Sequence, residues 1–169
     1  HLAPIANEIL PFEPSVLHPE ILGATPQGWL RIWDDTHAIH LEKWNNEIQS
    51  VLRESVAVLS SEDLNHDEES IEHYANTCKI LAITEGSKGS RLYWNGDIRK
   101  FGTRRVIEVD PTGAGDIFAS SFFIRLMTTR DPWESSRYAN QAAAFSVTRK
   151  GMDSIPTKEE LKLALVEVI

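Results

Sequence analysis

Short apolar runs alternate with amphipathic segments along this chain. Val56-Ala-Val-Leu59 and Ile80-Leu-Ala-Ile83 are continuous apolar runs bounded by polar residues, which predicts buried strands. Glu20-Ile-Leu-Gly-Ala24 reads as a further strand, followed by Thr25-Pro-Gln-Gly28, a turn by its Pro and Gly. Helical spacing runs through Trp44, Ile48 and Leu52 in Glu42 to Arg53, and through Ile71, Tyr74 and Cys78 in Glu68 to Cys78. Leu30 to Leu41 fits either element, with Asp34-Asp35 available as a hairpin turn. Ser90 to Trp94 and Ile98 to Phe101 flank Asn95-Gly96, a type I′ hairpin signal. Arg105 to Val109 alternates like a strand and leads through a glycine turn into the apolar segment Ile117 to Met127. Two helix starts close the chain. Asp131-Pro-Trp-Glu134 offers an N-cap, a Pro at N1 and a Glu at N3, and Thr157-Lys-Glu-Glu160 has the spacing of a capping box. Strands and helices in this order predict a parallel α/β sheet with a small hairpin inserted.

Composition narrows the picture only a little. The 169 residues are enough for one domain of ordinary size, and 41% hydrophobic with 25% charged residues is the balance of a globular protein. A net charge of −8 argues against a nucleic-acid surface, which needs a basic patch. It suits a neutral or weakly charged small substrate. Cys78 is the sole cysteine, so neither an internal disulfide nor a cysteine-based zinc site can form. The six histidines show no metal-ligand spacing, and His37 and His40 read as surface or half-buried residues. No apolar run approaches a membrane span, and His1-Leu-Ala-Pro-Ile-Ala lacks the pattern of a signal peptide, so no membrane partner and a cytoplasmic location are expected. His1-Leu-Ala-Pro also reads as the end of a strand already under way, and the expectation is a fragment, cut here or clipped from a longer chain.

The candidate chemistry lies in Val109-Asp-Pro-Thr-Gly-Ala-Gly-Asp-Ile-Phe118. A strand, a glycine turn and a helix start in succession make an anion site. Gly113 and Gly115 let a ligand approach the backbone, and the first helical turn presents free N–H groups. Asp116 sits among those donors. Like charges repel, so a carboxylate there is poor at holding phosphate, but it is well placed to take a proton from a hydroxyl attacking one. A bare Gly-Ala-Gly-Asp is equally compatible with a tight turn whose Asp favours the helix dipole.

The full run resembles the signature D-[TP]-[TV]-G-A-G-D-x-F of the ribokinase-like (PfkB) carbohydrate kinases. The resemblance continues downstream through Asn140-Gln-Ala-Ala-Ala144, Ser146-Val-Thr-Arg-Lys-Gly151 and Ser154-Ile-Pro156. It covers the C-terminal half of such a kinase over nearly the whole chain. It therefore implies a three-layer α/β/α sandwich with a mostly parallel sheet, residues 1–169 being the nucleotide-binding part without the N-terminal substrate and lid part. The activity implied is ATP-dependent phosphorylation of a hydroxyl on a sugar or related small molecule, with Asp116 as general base and the N–H groups of Gly113, Ala114 and Gly115 as anion hole.

Ligands of such sheets bind beyond the carboxyl ends of the strands, which groups Thr25–Gly28, Ser60–Asp63, Thr84–Gly89 and Asp110–Asp116. Thr84-Glu-Gly-Ser-Lys-Gly89 resembles the family's T-x-G-x-x-G loop along the nucleotide, implying nucleotide contacts from Thr84, Gly86 and Gly89, although an ordinary polar turn reads the same way. Asn140 and Ala143-Ala144 match the helix lining the family's adenine pocket, or are plain packing. Ser60-Ser-Glu-Asp63 stands where the family carries N-x-x-E, tied to magnesium. Asp63 keeps a carboxylate fit for Mg2+ through water, and acidic residues in a first helical turn are the other reading. Asp110, Thr112, Gly151 and Ser154 match positions that supply oxygens to a monovalent cation such as K+, or form a pair of turns. Gln27 and Arg31 fall where related kinases have polar groups near the phosphates.

The implied ligands are thus ATP, Mg2+, a sugar or polyol and a monovalent cation, with a homodimer as the family's common assembly. A nucleoside or inositol-like polyol as acceptor, a nucleotide-binding half without turnover, and an interaction domain that lost activity are the competing readings. The residues that grip the acceptor are expected upstream of His1, so the 169-residue chain alone is expected to be inactive.

Overall fold

The computed structural model describes residues 1–10, 18–33, 39–41 and 46–165. It is an α/β fold with a five-stranded sheet in the order β1-β4-β5-β6-β7, formed by β1 (Leu22–Ala24), β4 (Ser55–Ser60), β5 (Ile80–Thr84), β6 (Ser90–Trp94) and β7 (Asp97–Phe101). β2 (Arg31–Trp33) and β3 (Ile39–Leu41) form a separate antiparallel pair, as a hairpin reading of this stretch requires. The Asp34-Asp35 turn, His37, and Glu42 to Asn45 lie outside the described residues. No helix among the described residues is long and apolar enough to cross a membrane.

The chain divides into two compact units, His1–Ile83 with Tyr93–Asp97, and Thr84–Leu92 with Ile98–Ile169. In the first, β1 and β4 pair in parallel with Leu22 opposite Ser55 and Ala24 opposite Ala57. Their continuous apolar sequence is what burial on both faces demands. Leu2 forms a single parallel bridge with Ala24, and His1, Ala3 and Pro4 are in no strand. Thr25–Gly28 was expected as a plain turn. It is instead the entrance to a short helix, α1 (Gln27–Leu30), whose Gly28 amide donates to Pro4 O at 3.0 Å. A Cβ on Gly28 would lie 2.3 Å from the Pro4 carbonyl, so this glycine serves the packing of the N-terminal segment. Helix α2 (Asn46–Arg53) buries Ile48, Val51 and Leu52, and α3 (Glu68–Thr77) buries Ile71 and Tyr74. These join Trp29, Leu30, Leu59, Leu81 and Ile83 in one core.

In the second unit, α4 (Ala114–Thr129) packs along α5 (Pro132–Ser146). Phe118 and Phe122 stack with centroids 6.0 Å apart, and Ala139 and Ala142 are fully buried. Asp131 caps α5 by accepting from the Trp133 and Glu134 amides at 2.9 and 3.1 Å, with Pro132 at N1 as read from sequence. Glu134 turns to Arg125 (Nε–Oε2 2.9 Å). Thr157 and Glu160 close the full capping box that opens α6 (Lys158–Leu163). The turn between β6 and β7, which belongs to the first unit, has φ of 51° at Asn95 and 81° at Gly96, the pair of positive values a type I′ turn requires.

Arg105–Val109 is a correction. It is not a strand: no ladder forms there, and its backbone anchor is Val147 O, which accepts from the Val109 and Asp110 amides at 2.7 and 3.1 Å. Alternation describes a chain that can sit on a sheet, but a strand also needs a neighbour. Ile107 is 85% exposed, with no apolar layer behind it.

Candidate functional site

The site builds from the α4 N-terminus. Gly113 is its N-cap with φ 81°, a left-handed conformation that a side chain resists, and it swings the chain from the Asp110–Thr112 turn into the helix. Asp110 Oδ1 accepts from Thr112 N at 3.0 Å, which fixes the turn. That bond, with the Thr112 side chain foremost, holds the Asp110 carboxyl below its ordinary range, and Lys150 and the Gly151 amide add to it. Asp110, Thr112 and Gly151 therefore come together, and Ser154 ends the single 3-10 turn that Gly151 opens.

Ala114 departs from the anion hole read from sequence, because its N–H donates to Pro111 O at 3.1 Å. The first helical bond proper runs from Ile117 N to Gly113 O. Among the described residues the amides of Gly113, Gly115 and Asp116 have no partner, so these three are the open donors. Asp116 is at the third helical position, exposed, and its carboxylate makes no bond within the described residues. Sequence reasoning missed the Asp116 amide. The missed signal is position alone, since N2 and N3 amides are open by the geometry of any α-helix. An open row of N–H groups at a helix start, without side chains at Gly113 and Gly115, is suited to an oxyanion.

Thr84–Gly89 is built differently. Gly86–Lys88 forms a 3-10 turn closed by Glu85 N donating to Gly89 O at 2.8 Å, with Glu85 ion-paired to buried Arg91 at 3.0 Å. Gly89 has φ 96°, and a Cβ there would lie 2.0 Å from Phe101 O. Gly86 is exposed with nothing within 4 Å of a would-be Cβ, so of the two glycines it is the one open to a ligand. Asn140 is 4% exposed, and its Nδ2 donates to Ser90 Oγ at 2.8 Å and to Ser136 O at 3.0 Å. Ala143 is half-buried and Ala144 buried on the same helix.

In the first unit Asp63 is 9% exposed, in a 3-10 turn after β4, and Arg31 Nη2 donates to its Oδ1 at 2.5 Å. The structure thus joins two residues that sequence reasoning considered separately. Among the described residues no three His, Cys, Asp or Glu side chains cluster to hold a metal, and Asp63 already has a cation. The Arg31 pair takes one oxygen of Asp63, and a water-mediated contact of this carboxylate with Mg2+ is compatible with that pair. Burial pushes the Cys78 thiol up to about 12, which leaves it protonated and unsuited to nucleophilic work.

Comparison with known proteins meets this geometry. Fructokinase-4 of Arabidopsis thaliana, itself named as probable, is 29% identical over 160 residues, covering 86% of this chain and 48% of that protein. The ribokinase of Thermotoga maritima superposes with a TM-score of 0.71 at 28% identity, over 97% of this chain and 55% of that one. A ribokinase-like protein from E. coli, solved in complex with ATP and Mg2+, shares the fold with a TM-score of 0.62 at 24% identity, over 71% and 42% of the two chains. The chain spans about half the length of the curated relatives it matches. Residues 52–159 match the profile described as pfkB family carbohydrate kinase, a span that holds both glycine loops and the open α4 terminus, and the chain belongs to that family.

Proposed function

We propose that this chain carries the nucleotide-binding and catalytic part of a kinase that moves the ATP γ-phosphoryl group to a hydroxyl of a sugar or related small molecule. One observation carries the reading. Asp116, exposed and without a partner among the described residues, stands on the first turn of α4 beside the amides of Gly113, Gly115 and Asp116 itself, which are open among those residues. In the step proposed, the substrate oxygen attacks the γ-phosphorus in line, its proton passes to Asp116, and the bond to the ADP oxygen breaks. Such a base is worth roughly 10²–10⁴ in rate. The open amides stabilise charge on the phosphoryl oxygens as it moves. Gly86 and Thr84 lie along the nucleotide, and backbone oxygens around Asp110, Thr112, Gly151 and Ser154 hold a monovalent cation. Asp63, paired with Arg31 through Oδ1, would hold Mg2+ through water, and no step is routed through the metal.

Fructose and ribose in the relatives' names favour a sugar or polyol acceptor without choosing between them. The half-length match favours a second reading, in which the 169-residue chain binds nucleotide and does not turn over alone, since closure that excludes water completes such sites.

The test is Asp116→Asn in the intact gene product, assayed for ATP turnover over a panel of sugars, polyols and nucleosides. The expected result is a kcat lower by about two orders of magnitude or more with nucleotide affinity unchanged, since the amide fills the same space and takes no proton. A variant that keeps more than about a tenth of kcat, with chemistry rate-limiting, overturns the general-base role.

A further inference from the structure

We infer that Asn140 is a positioning residue that sets the Thr84–Gly89 loop from beneath, and that it acts through Ser90 without touching the nucleotide base. Asn140 Nδ2 donates to Ser90 Oγ at 2.8 Å and to Ser136 O at 3.0 Å, while Ser90 Oγ and Ser136 Oγ lie 3.0 Å apart. Both donors of the amide group are thereby spent. Ser90 is 1% and Ser136 0% exposed, so the network is dry and its bonds are not replaceable by water. The Asn140 backbone is held as well, because Thr103 Oγ1 donates to Asn140 O at 3.0 Å.

The network reaches the loop at a point where the loop has no slack. Ser90 follows Gly89, whose carbonyl closes the turn by accepting from Glu85 N at 2.8 Å. Gly89 packs against Phe101 so tightly that a Cβ would meet the Phe101 oxygen at 2.0 Å. Moving Ser90 therefore moves the base of the turn that presents Gly86 and Thr84. An Asn in a helix facing such a loop can act by contact with a ligand or by holding the loop; burial and the two spent donors point to the second, and Oδ1 is the one atom through which a base contact would show, in the ATP-to-GTP ratio.

This inference rests on the proposed nucleotide role of the loop, and its test separates the two. Asn140→Ala, Ser90→Ala and the double variant are compared by ATP and GTP binding and by hydrogen exchange of the loop amides without nucleotide. Ser90→Ala removes a single oxygen and keeps the packing, so it reports even where Asn140→Ala is poorly folded. Expected are losses of about five- to tenfold in affinity for each single variant, the scale of a broken buried hydrogen bond. The double variant should add little, as members of one network do. The ATP-to-GTP ratio should stay constant, and exchange at residues 86–90 should quicken about tenfold or more in every variant. A changed ATP-to-GTP ratio in Asn140→Ala alone, or unchanged loop exchange in Ser90→Ala, overturns the positioning role. A wild-type chain that binds neither nucleotide overturns the nucleotide reading instead, and the exchange data still decide what Asn140 does to the loop.

Discussion

The loops Thr84–Gly89 and Asp110–Asp116 are both glycine-rich and both resemble phosphate cradles in sequence, yet they spend their glycines differently. At Gly89 the fold itself forbids a side chain, because a Cβ would sit 2.0 Å from Phe101 O. At Gly115 nothing lies within 4 Å of a would-be Cβ, and the position is helical. A glycine there costs about 0.5–1 kcal/mol relative to alanine, and no contact in the structure offsets it. A glycine that the fold needs is explained by packing. One that the fold does not need points to something outside the chain.

The largest effect that would break this contrast is at Gly89. Gly89→Ala places a side chain at φ 96° and against a backbone oxygen, so it should destabilise the chain by about 3 kcal/mol or more. Urea unfolding of the 169-residue chain measures it, and a loss below about 1 kcal/mol would mean that the loop yields and that Gly89 is not fixed by packing.

The reciprocal experiment is Gly115→Ala. Stability should hold or rise by up to about 1 kcal/mol, while turnover of the intact gene product falls about tenfold or more as the methyl crowds the open amides. Turnover that survives intact would remove the anion site from Gly115 and leave the α4 terminus an ordinary helix start.

The same contrast explains what was legible in the sequence. The hairpin, the strands at Val56–Leu59 and Ile80–Ile83, and the caps at Asp131 and Thr157 were readable because each rests on local chemistry: turn residues with positive φ, apolar runs, side-chain caps. Arg105–Val109 was misread because pairing is not local, and the sequence carries no record of which neighbour is present. At the candidate site, Gly113 and Asp116 follow from a contiguous motif, and their positions on α4 can be deduced from it. That Asp63 is taken by Arg31 and that Asn140 faces Ser90 depend on contacts between residues 32 and 50 positions apart. Such partners are invisible to a motif.

The smallest predicted effect extends the comparison from glycines to carboxylates. Asp116 has no partner among the described residues, whereas Glu160 spends both oxygens on Arg149, at 2.7 and 2.9 Å, and one of them also on the Thr157 amide at 2.8 Å. The Arg149 bonds, ahead of the capping bond, pull the Glu160 carboxyl down to about 2. A carboxyl whose pKa is lowered on folding stabilises the fold above its unfolded value of 4.5, and that share is lost as pH falls toward about 2. The pair is partly exposed, so the share is about 0.5–1 kcal/mol. Glu160→Gln should therefore lower the stability of the chain by about that much at pH 7 and flatten its decline between pH 4.5 and 2, as read by urea midpoints across that range. An unaltered acid limb in the variant would mean that Glu160 contributes as a cap through its uncharged hydrogen bonds and that its charge is as uncommitted to the fold as that of Asp116.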